Sequence, residues 1–541
     1  MDQFINDTDT LVRDAIDGVV RAGGGRLARL DGYPATKVVV RTDWDASQVA
    51  VISGGGSGHE PAHAGFVGPG MLTAAVCGEV FASPSVDAVL AGILAVTGDP
   101  GCLLIVKNYT GDRLNFGLAA ERARALGKRV EMVVVDDDIA LPELPQPRGL
   151  AGTLFVHKIA GALAHAGNDL DTVAEAARRT VAGVSSIGMS LDTCTVPGSP
   201  KEERISVGMA ELGLGIHGEP GVDQVEFTDA GQAMHLVVER LSDHRPLTDD
   251  AGHRVALLNN LGGVTALEMG ILTAELAASP VGRSIDWLVG PAPLMTSLDM
   301  RGFSLSLLTV DDDDLAALLA EPAPPAWPGA SQPEDLRTIP LPDGLEHDQP
   351  EPSEHPETRR LLERCCEAMI KSEADLNELD AKSGDGDTGS TVKVAATALL
   401  KKLDTLPLAD HAALFHVLST TMSREMGGSS GVLLAILFAA AGDAADNGAG
   451  AITALQAGLQ RVSEVGGAGP GDRTMIDALA PALDASRQGW SAAARAARQG
   501  AEETAAMDTA AAGRASYVSA DQLRGHVDPG AEAVARLFEA L

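Results

Sequence analysis

Through the first 320 residues, short apolar runs alternate with longer stretches of helical periodicity. The runs Gln48–Ser53 (QVAVIS), Cys102–Lys107 (CLLIVK), Val130–Val135 (VEMVVV) and Val255–Asn259 (VALLN) are rich in Val, Ile and Leu. Runs of that length and content predict strands buried on both faces. Several are followed by a Gly/Asp loop and an Ala/Leu pattern, as in Asn115–Leu126 (NFGLAAERARAL). Strand, loop and helix in repetition predict an α/β unit with a largely parallel sheet.

Beyond residue 357 the texture changes. Arg359–Leu379, Val394–Leu403, Ala412–Glu425, Gly431–Ala445, Ala451–Val465, Met475–Arg487 and Trp490–Met507 all carry an Ala/Leu helical pattern. They predict an all-α bundle of about eight helices. Between the two patterns, Glu321–Glu357 holds ten of the 29 prolines, and nine acidic residues against Arg337 alone. Proline locks φ and like charges repel, so this stretch predicts an extended linker. The expected division is therefore an α/β lobe over 1–190, a second over 191–330, an acidic linker over 321–357 and a helical domain over 358–541.

Composition narrows the function. The 541 residues include 41 basic and 75 acidic side chains, a net charge of −34. Such a surface repels polyanions, which argues against nucleic acid or anionic membrane as a partner. Aromatic residues are only 3% of the chain, too few for a base-stacking platform. The five cysteines (Cys77, Cys102, Cys194, Cys365, Cys366) are odd in number and lack CxxC spacing, so neither a disulfide framework nor a zinc site is expected. The most apolar helical stretch, Val432–Ala441, is too short to span a bilayer, and the first residues lack a signal-peptide pattern. A cytoplasmic multidomain enzyme is the expectation.

Sixty glycines are many for this length, and their clusters mark four candidate sites. Ser53–Pro61 (SGGGSGHEP) follows a predicted strand. Its glycines let backbone N–H groups approach an anion, and His59 at its exit can exchange a proton with a ligand held there. A plain chain turn is the alternative. Lys107–Asp112 (KNYTGD) ends another predicted strand, where ligands bind in open α/β sheets. Asp112 suits the role of base towards a hydroxyl and Lys107 that of a phosphate contact; a structural ion pair or a helix cap is the alternative. Gly215–Gly221 (GIHGEPG) frames His217 with glycines, leaving it accessible as a nucleophile towards a carbonyl or as a surface histidine. Asp380, Asp385 and Asp387 crowd three carboxylates into eight residues (DAKSGDGD). That arrangement suits Mg²⁺ with open positions for phosphate oxygens, or else a solvated acidic turn. Gly427–Gly431 (GGSSG), opening an apolar helix, adds a second anion cradle.

Taken with their neighbours, these clusters resemble the single-chain ATP-dependent dihydroxyacetone kinases. SGGGSGHEPAHAGFVGPG, LLIVKNYTGDRLNFG, VVVDDD, GTLFVHKIAGA, GIHGEPG, LNNLGG and GFSLSLL are similar to that family's substrate-binding module. LDAKSGDGDTGSTV, MGGSSGVL, GDRTMIDAL, GRASYV and HVDPGA are similar to its nucleotide-binding module. The resemblance implies mixed-sheet lobes followed by an eight-helix barrel able to hold a lipid, and a homodimer whose nucleotide modules can be exchanged. It implies that His217 forms a covalent hemiaminal with a short ketose, and that His59 bonds the hemiaminal oxygen. Gly55, Gly56, Ser57 and Gly58 would surround the substrate, Asp112 would be the base and Lys107 a substrate and phosphate contact. Asp380, Asp385 and Asp387 would hold two Mg²⁺ ions on ATP. Thr388, Gly389, Ser390, Thr391, Ser429 and Ser430 would bind phosphates, while Gly466, Met475, Arg514, Asp528, Pro529 and Gly530 surround the nucleoside. Arg514 and Arg473 are separate candidates for a phosphate contact, and the motif GRASYV favours Arg514. Ser383 stands where the family pattern has an apolar residue. Dihydroxyacetone is the expected substrate. Erythrulose, glyceraldehyde, an FAD-splitting lyase activity and an ADP-carrying or regulatory role are the alternatives.

Overall fold

The computed structural model describes residues 3–141, 146–245, 252–343, 350–382 and 384–541. Ser383 and the side chain of Arg514 lie outside the described residues, as does 344–349 of the expected linker. The chain divides into two units, Met1–Thr338 and Ile339–Leu541.

The first unit contains two sheets. Strands β1 (Leu27–Arg29), β2 (Val38–Arg41), β3 (Ala50–Ser57), β4 (Ala74–Val80), β5 (Cys102–Lys107) and β6 (Val130–Val135) form one, in the order β1-β2-β4-β3-β5-β6. The second runs β13-β11-β10-β12-β7-β8-β9. Its strands are β7 (Val184–Ser190), β8 (Met209–Leu212), β9 (Asp223–Glu226), β10 (His253–Asn260), β11 (Trp287–Ala292), β12 (Gly302–Val310) and β13 (Ala330–Ser331). In the first sheet β3 pairs parallel with β4 and β5, and β5 with β6, as expected for runs separated by crossover helices. The second sheet differs from the predicted parallel arrangement: only β10 and β11 are parallel, and β12 pairs antiparallel with both β10 and β7. Both sheets are thus mixed. β7 also lies earlier in the chain than the expected lobe boundary at 190.

Period-two burial explains the layering. Leu103 and Ile105 of β5 face one core and Cys102, Leu104 and Val106 face another. Helices Thr153–His165 and Leu170–Gly183 pack in the core shared by the two sheets. Helices Val86–Val96 and Thr110–Ala125 cover the outer face of the first sheet, and Ala230–His244 and Ala266–Ala278 that of the second. Alternating Ser and Leu in β12 conceals a buried polar seam: Ser306 donates to Ser186 Oγ at 2.6 Å, leaving the Ser186 proton for Asp137, and Asn259 donates to Ser304 Oγ at 3.1 Å.

The linker is shorter than its composition predicts. Trp327 is buried, Ala323 and Ala326 pack on the core of the first unit, and Ala330–Ser331 pairs with β11. At the far end, Ser353 exchanges backbone bonds with Leu406 and Leu408, and His355 caps helix Pro356–Lys371. The few apolar residues of the stretch draw its start, as far as Ser331, onto the core of the first unit.

The second unit is helical throughout its described residues. Its helices are Pro356–Lys371, Glu373–Asp380, Thr388–Lys402, His411–Glu425, Gly428–Asp446, Ala451–Gly466, Ile476–Ala485, Trp490–Glu503, Ala520–Leu523 and Pro529–Glu539. Eight of these exceed eight residues. Three points differ from prediction: the first pattern breaks at Ser372, and helices Ala520–Leu523 and Pro529–Glu539 follow the last predicted one. Gly428–Asp446 is also longer than its apolar centre suggested; by length and composition it could cross a membrane, but it packs between helices His411–Glu425 and Ala451–Gly466 as a bundle helix.

Candidate active site

In the first unit the structure gathers the sugar-side candidates at the ends of β3 and β5. β3 runs straight into the glycine loop and delivers His59, which is fully buried. His59 Nδ1 lies 2.8 Å from the carbonyl oxygen of Thr296. A carbonyl only accepts, so Nδ1 carries the proton and Nε2 is bare; among the described residues nothing bonds that Nε2. Burial, then the nearby His217 and Lys107, hold the His59 pKa well below the ordinary imidazole value.

His217 sits on the β8–β9 loop. Its Nδ1 is 3.0 Å from Glu219 Oε1, and its backbone N–H donates to Glu219 Oε2 at 3.0 Å. The carboxylate thereby fixes Nδ1 as the protonated nitrogen and leaves Nε2 with its lone pair. Burial, the largest single influence, pushes Glu219 up, but the side-chain bond from His217, the attraction of that ring and the backbone N–H bonds together hold this carboxyl below its ordinary value. Gly215 makes the arrangement possible, because a Cβ there would stand 2.0 Å from Glu219 Oε2. Phe81 and Tyr109 complete an aromatic box, with ring centroids 5.3 Å and 4.4 Å from that of His217.

Lys107 and Asp112 flank the glycine loop from below. Both are buried, and a Cβ on Gly55 would meet Lys107 Nζ at 2.8 Å and Asp112 Oδ2 at 3.3 Å. They form no ion pair within 4.0 Å. Asp112 lies in the first turn of its helix without capping it, and its Oδ1 has no partner. The pair thus makes neither a close ion pair nor a helix cap among the described residues, although the Asp112 charge is felt by Lys107. Burial lowers the Lys107 pKa, partly offset by Asp112 and Asp137. Gly56 and Gly58 admit no side chain, since a Cβ would come within 2.8 Å of Ala82 N and Phe81 Cε1 respectively. The Ser57 hydroxyl donates to the Gly78 carbonyl at 2.9 Å.

Sequence reasoning missed the residues that hold these groups. Asn259 accepts from the backbone N–H groups of Leu294 and Met295, fixing the segment that offers Thr296 to His59. Ser297 donates to the carbonyl of Ile216 at 2.6 Å, beside His217. Asp137 accepts from Leu150 N, Gly152 N and Ser186 Oγ, and Asp138 from Arg148, which also donates to Gly213 O. The motifs LNNLGG and VVVDDD carried the signal, but not its meaning.

In the second unit, oxygens of Asp380, Asp385 and Asp387 lie within 4.8 Å of one another. Asp380 is buried, and its Oδ2 accepts from the backbone N–H groups of Gly386 (3.0 Å), Asp387 (3.0 Å) and Thr388 (3.2 Å). Gly386 has φ +81°, which a side chain would strain. Asp385 and Asp387 are exposed, so hard oxygen donors face solvent, which fits a divalent ion that keeps open positions. Thr388, Gly389, Ser390 and Thr391 open the following helix, and Asn377 holds Ser390 through two bonds. Ser429 and Ser430 lie exposed in the first turn of Gly428–Asp446.

At the nucleoside-side candidates, Gly530 packs on Met475, where a Cβ would be 3.3 Å from Met475 Cβ. Gly466 ends its helix. Asp528 caps helix Pro529–Glu539 through Ala531 N, and burial pushes its pKa up to about 6. Arg473 is not a surface cation. It is fully buried and donates to the carbonyl of His526 at 2.9 Å, bracing the loop before Asp528.

Residues 18–326 match the Dak1 domain and residues 382–541 the DAK2 domain. The chain is 49% identical to the dihydroxyacetone kinase of Citrobacter freundii over 99% of this chain and 98% of that one. It is 40% identical to human triokinase/FMN cyclase (100% and 98%) and 36% to L-erythrulose 1-kinase of Mycolicibacterium smegmatis (100% and 99%). The crystal structure of the C. freundii kinase in complex with AMP-PNP and Mg²⁺ superposes with a TM-score of 0.71 at 47% identity, covering 99% of this chain and 98% of that one. With both modules present in this order over the whole length, the chain belongs to the single-chain dihydroxyacetone kinase family and is a kinase of trioses or short ketoses.

Proposed function

We propose that the protein transfers the γ-phosphoryl group of ATP to a terminal hydroxyl of dihydroxyacetone, held covalently on His217. The observation that carries this reading is the pair of bare Nε2 atoms on His59 and His217, whose rings meet with centroids 4.9 Å apart. His217 Nε2 adds to the C2 carbonyl, the positive charge gained by the ring is balanced by Glu219, and the carbonyl oxygen takes up a proton from solvent water to become the hemiaminal hydroxyl. His59 Nε2 accepts a hydrogen bond from that hydroxyl. The adduct fixes the sugar, so the terminal hydroxyl is oriented before transfer. Asp112, with one oxygen unpartnered, takes the hydroxyl proton as the new O–P bond forms, and Lys107 contacts the phosphoryl group. Asp380, Asp385 and Asp387 would hold Mg²⁺, which supplies charge neutralisation on the ATP phosphates.

A coupled assay with ATP on dihydroxyacetone, both erythrulose enantiomers and glyceraldehyde tests the substrate, together with intact-protein mass spectrometry for the adduct. The expected result is the highest kcat/KM on dihydroxyacetone and a ketose-sized mass increase that is lost in His217→Ala. A large excess for erythrulose would move the assignment to the chemistry named for the M. smegmatis relative; no adduct would overturn the covalent step. Incubation with FAD and Mn²⁺ checks for the cyclase activity named for the human relative.

We also propose a homodimer that exchanges nucleotide-binding units. The connection Gln332–Pro352 spans roughly 65 Å when extended, which supports such an exchange. Mixing the inactive Asp112→Asn and Asp385→Asn proteins should restore activity; no restoration, or a monomer by light scattering, rejects it.

A further inference from the structure

Behind Lys107 lies a buried polar group that the proposed reaction leaves unused. The lysine is clamped at both ends by glycines: a Cβ on Gly149 would stand 2.8 Å from Lys107 Cβ, and one on Gly55 2.8 Å from its Nζ. Its Nζ lies 2.6 Å from His63 Nε2. An ammonium only donates, so His63 Nε2 is the acceptor and the proton of that ring sits on Nδ1. His63 is buried, and burial followed by the charge of Lys107 keeps its pKa well below the ordinary value. The ring of His157 stands edge-on to that of His63, with centroids 5.1 Å apart. His157 and Thr153, one turn apart on helix Thr153–His165, are also fully buried. Among the described residues, neither nitrogen of His157, nor His63 Nδ1, nor Thr153 Oγ1 has a hydrogen-bond partner.

A lysine has four rotatable side-chain bonds, and the carboxylate of Asp112, whose Oδ1 has no hydrogen-bond partner among the described residues, is the strongest acceptor near it. Without another acceptor, the ammonium would swing onto Asp112 and bury both charges in an ion pair. The pair is nevertheless open, and the lysine points to an imidazole.

We propose that His63 is a positioning residue of the phosphoryl transfer: its Nε2 holds the Lys107 ammonium at Gly55 and away from Asp112, keeping the base free and the cation available to phosphate, while His157 packs the His63 ring in place. This rests on the reading of Asp112 and Lys107 given above.

The test compares His63→Leu, His63→Gln, Lys107→Met and Asp112→Asn in the full-length enzyme. His63→Leu should lower kcat about 100-fold while the ketose KM stays within about threefold and the adduct still forms. His63→Gln, whose Oε1 restores an acceptor, should recover most of that loss. A purely structural role would lower stability without a kcat-selective effect that Gln rescues, so equal impairment of the Leu and Gln variants overturns the proposal. So does full activity of His63→Leu beside inactive Asp112→Asn and Lys107→Met. Full activity of those last two would instead overturn the underlying reading. Should the Leu variant not fold, ¹⁵N-histidine NMR of the wild type decides: an Nδ1–H tautomer at His63 supports the proposal, and an Nε2–H tautomer rejects it.

Discussion

The rings of His59 and His217 meet edge to face, with planes at 74°, although one follows a strand of the first sheet and the other sits on a loop of the second. Each is held by a different acceptor, Thr296 O and Glu219 Oε1, so both present an unprotonated Nε2. Removing the orienting carboxylate should therefore disable the nucleophile without removing it. Glu219→Gln is expected to lower kcat/KM about 100-fold and to reduce the adduct fraction at limiting ketose, read by intact-protein mass spectrometry. An unchanged adduct fraction would show that the tautomer is set elsewhere.

His217→Ala and Asp112→Ala should separate capture from chemistry. The first is expected to abolish the adduct and raise KM sharply. The second should keep the adduct while lowering kcat by about 10²–10⁴. Steady-state kinetics beside mass spectra distinguish the two patterns.

Gly58 combines φ +101° with an approach that would put a Cβ 2.8 Å from Phe81 Cε1. Phe81 belongs to the aromatic box, so Gly58→Ala displaces a wall of the site as well as straining the backbone. Activity should fall by at least about 100-fold, consistent with misplacement of reacting groups by about 1 Å. Gly24→Ala, at φ +60° with open space around it, is the control for backbone strain alone and should leave activity near that of the wild type.

The metal loop predicts two different phenotypes. Asp380 accepts three backbone N–H bonds, so Asp380→Ala should destabilise the helical unit by about 2–3 kcal/mol and lower its Tm by calorimetry. Asp385 and Asp387 are exposed. Their Asn variants should melt close to wild type without Mg²⁺ yet lose Mg²⁺-dependent turnover. An active Asp385→Asn, Asp387→Asn double variant would refute the metal assignment.

Three buried imidazoles make the first unit acid-sensitive. Burial, then Lys107, lowers the His157 pKa to about 3, and His59 and His63 are also held well below their ordinary values. The folded state then binds fewer protons than the unfolded chain between about pH 3 and pH 6.5. Stability is present above the unfolded pKa and falls as pH drops through that window, by up to about 1.4 kcal/mol per pH unit for each histidine. His157→Gln should flatten the dependence of stability on pH between 6.5 and 4 by about one histidine's share, as measured by calorimetry across that range. An unaltered slope would mean that His157 is protonated in the folded protein.

Local pattern was enough to read much of this. β3, β5 and β6 stood out because strands buried on both faces leave unbroken apolar runs. β7 and β12 did not, because Ser185, Ser186, Ser304 and Ser306 form a buried polar seam and dilute the signal. Short strands at the sheet edges, such as β8 and β9, are too brief for periodicity to show. The proline-rich stretch looked uniform, yet Trp327 and its alanine neighbours dock on the core; composition cannot weigh one buried tryptophan against ten prolines.

The sequence by itself determined the two modules, their order and the loops that carry chemistry, because glycine turns, a carboxylate cluster and strand-end positions are encoded within a dozen residues. The tertiary structure decided what each group can do there. Thr296 reaches His59 across 237 residues, and His63 reaches Lys107 across 44. Tautomer, orientation and pKa depend on those distant partners and on burial, which arise only when the two sheets close around a common core.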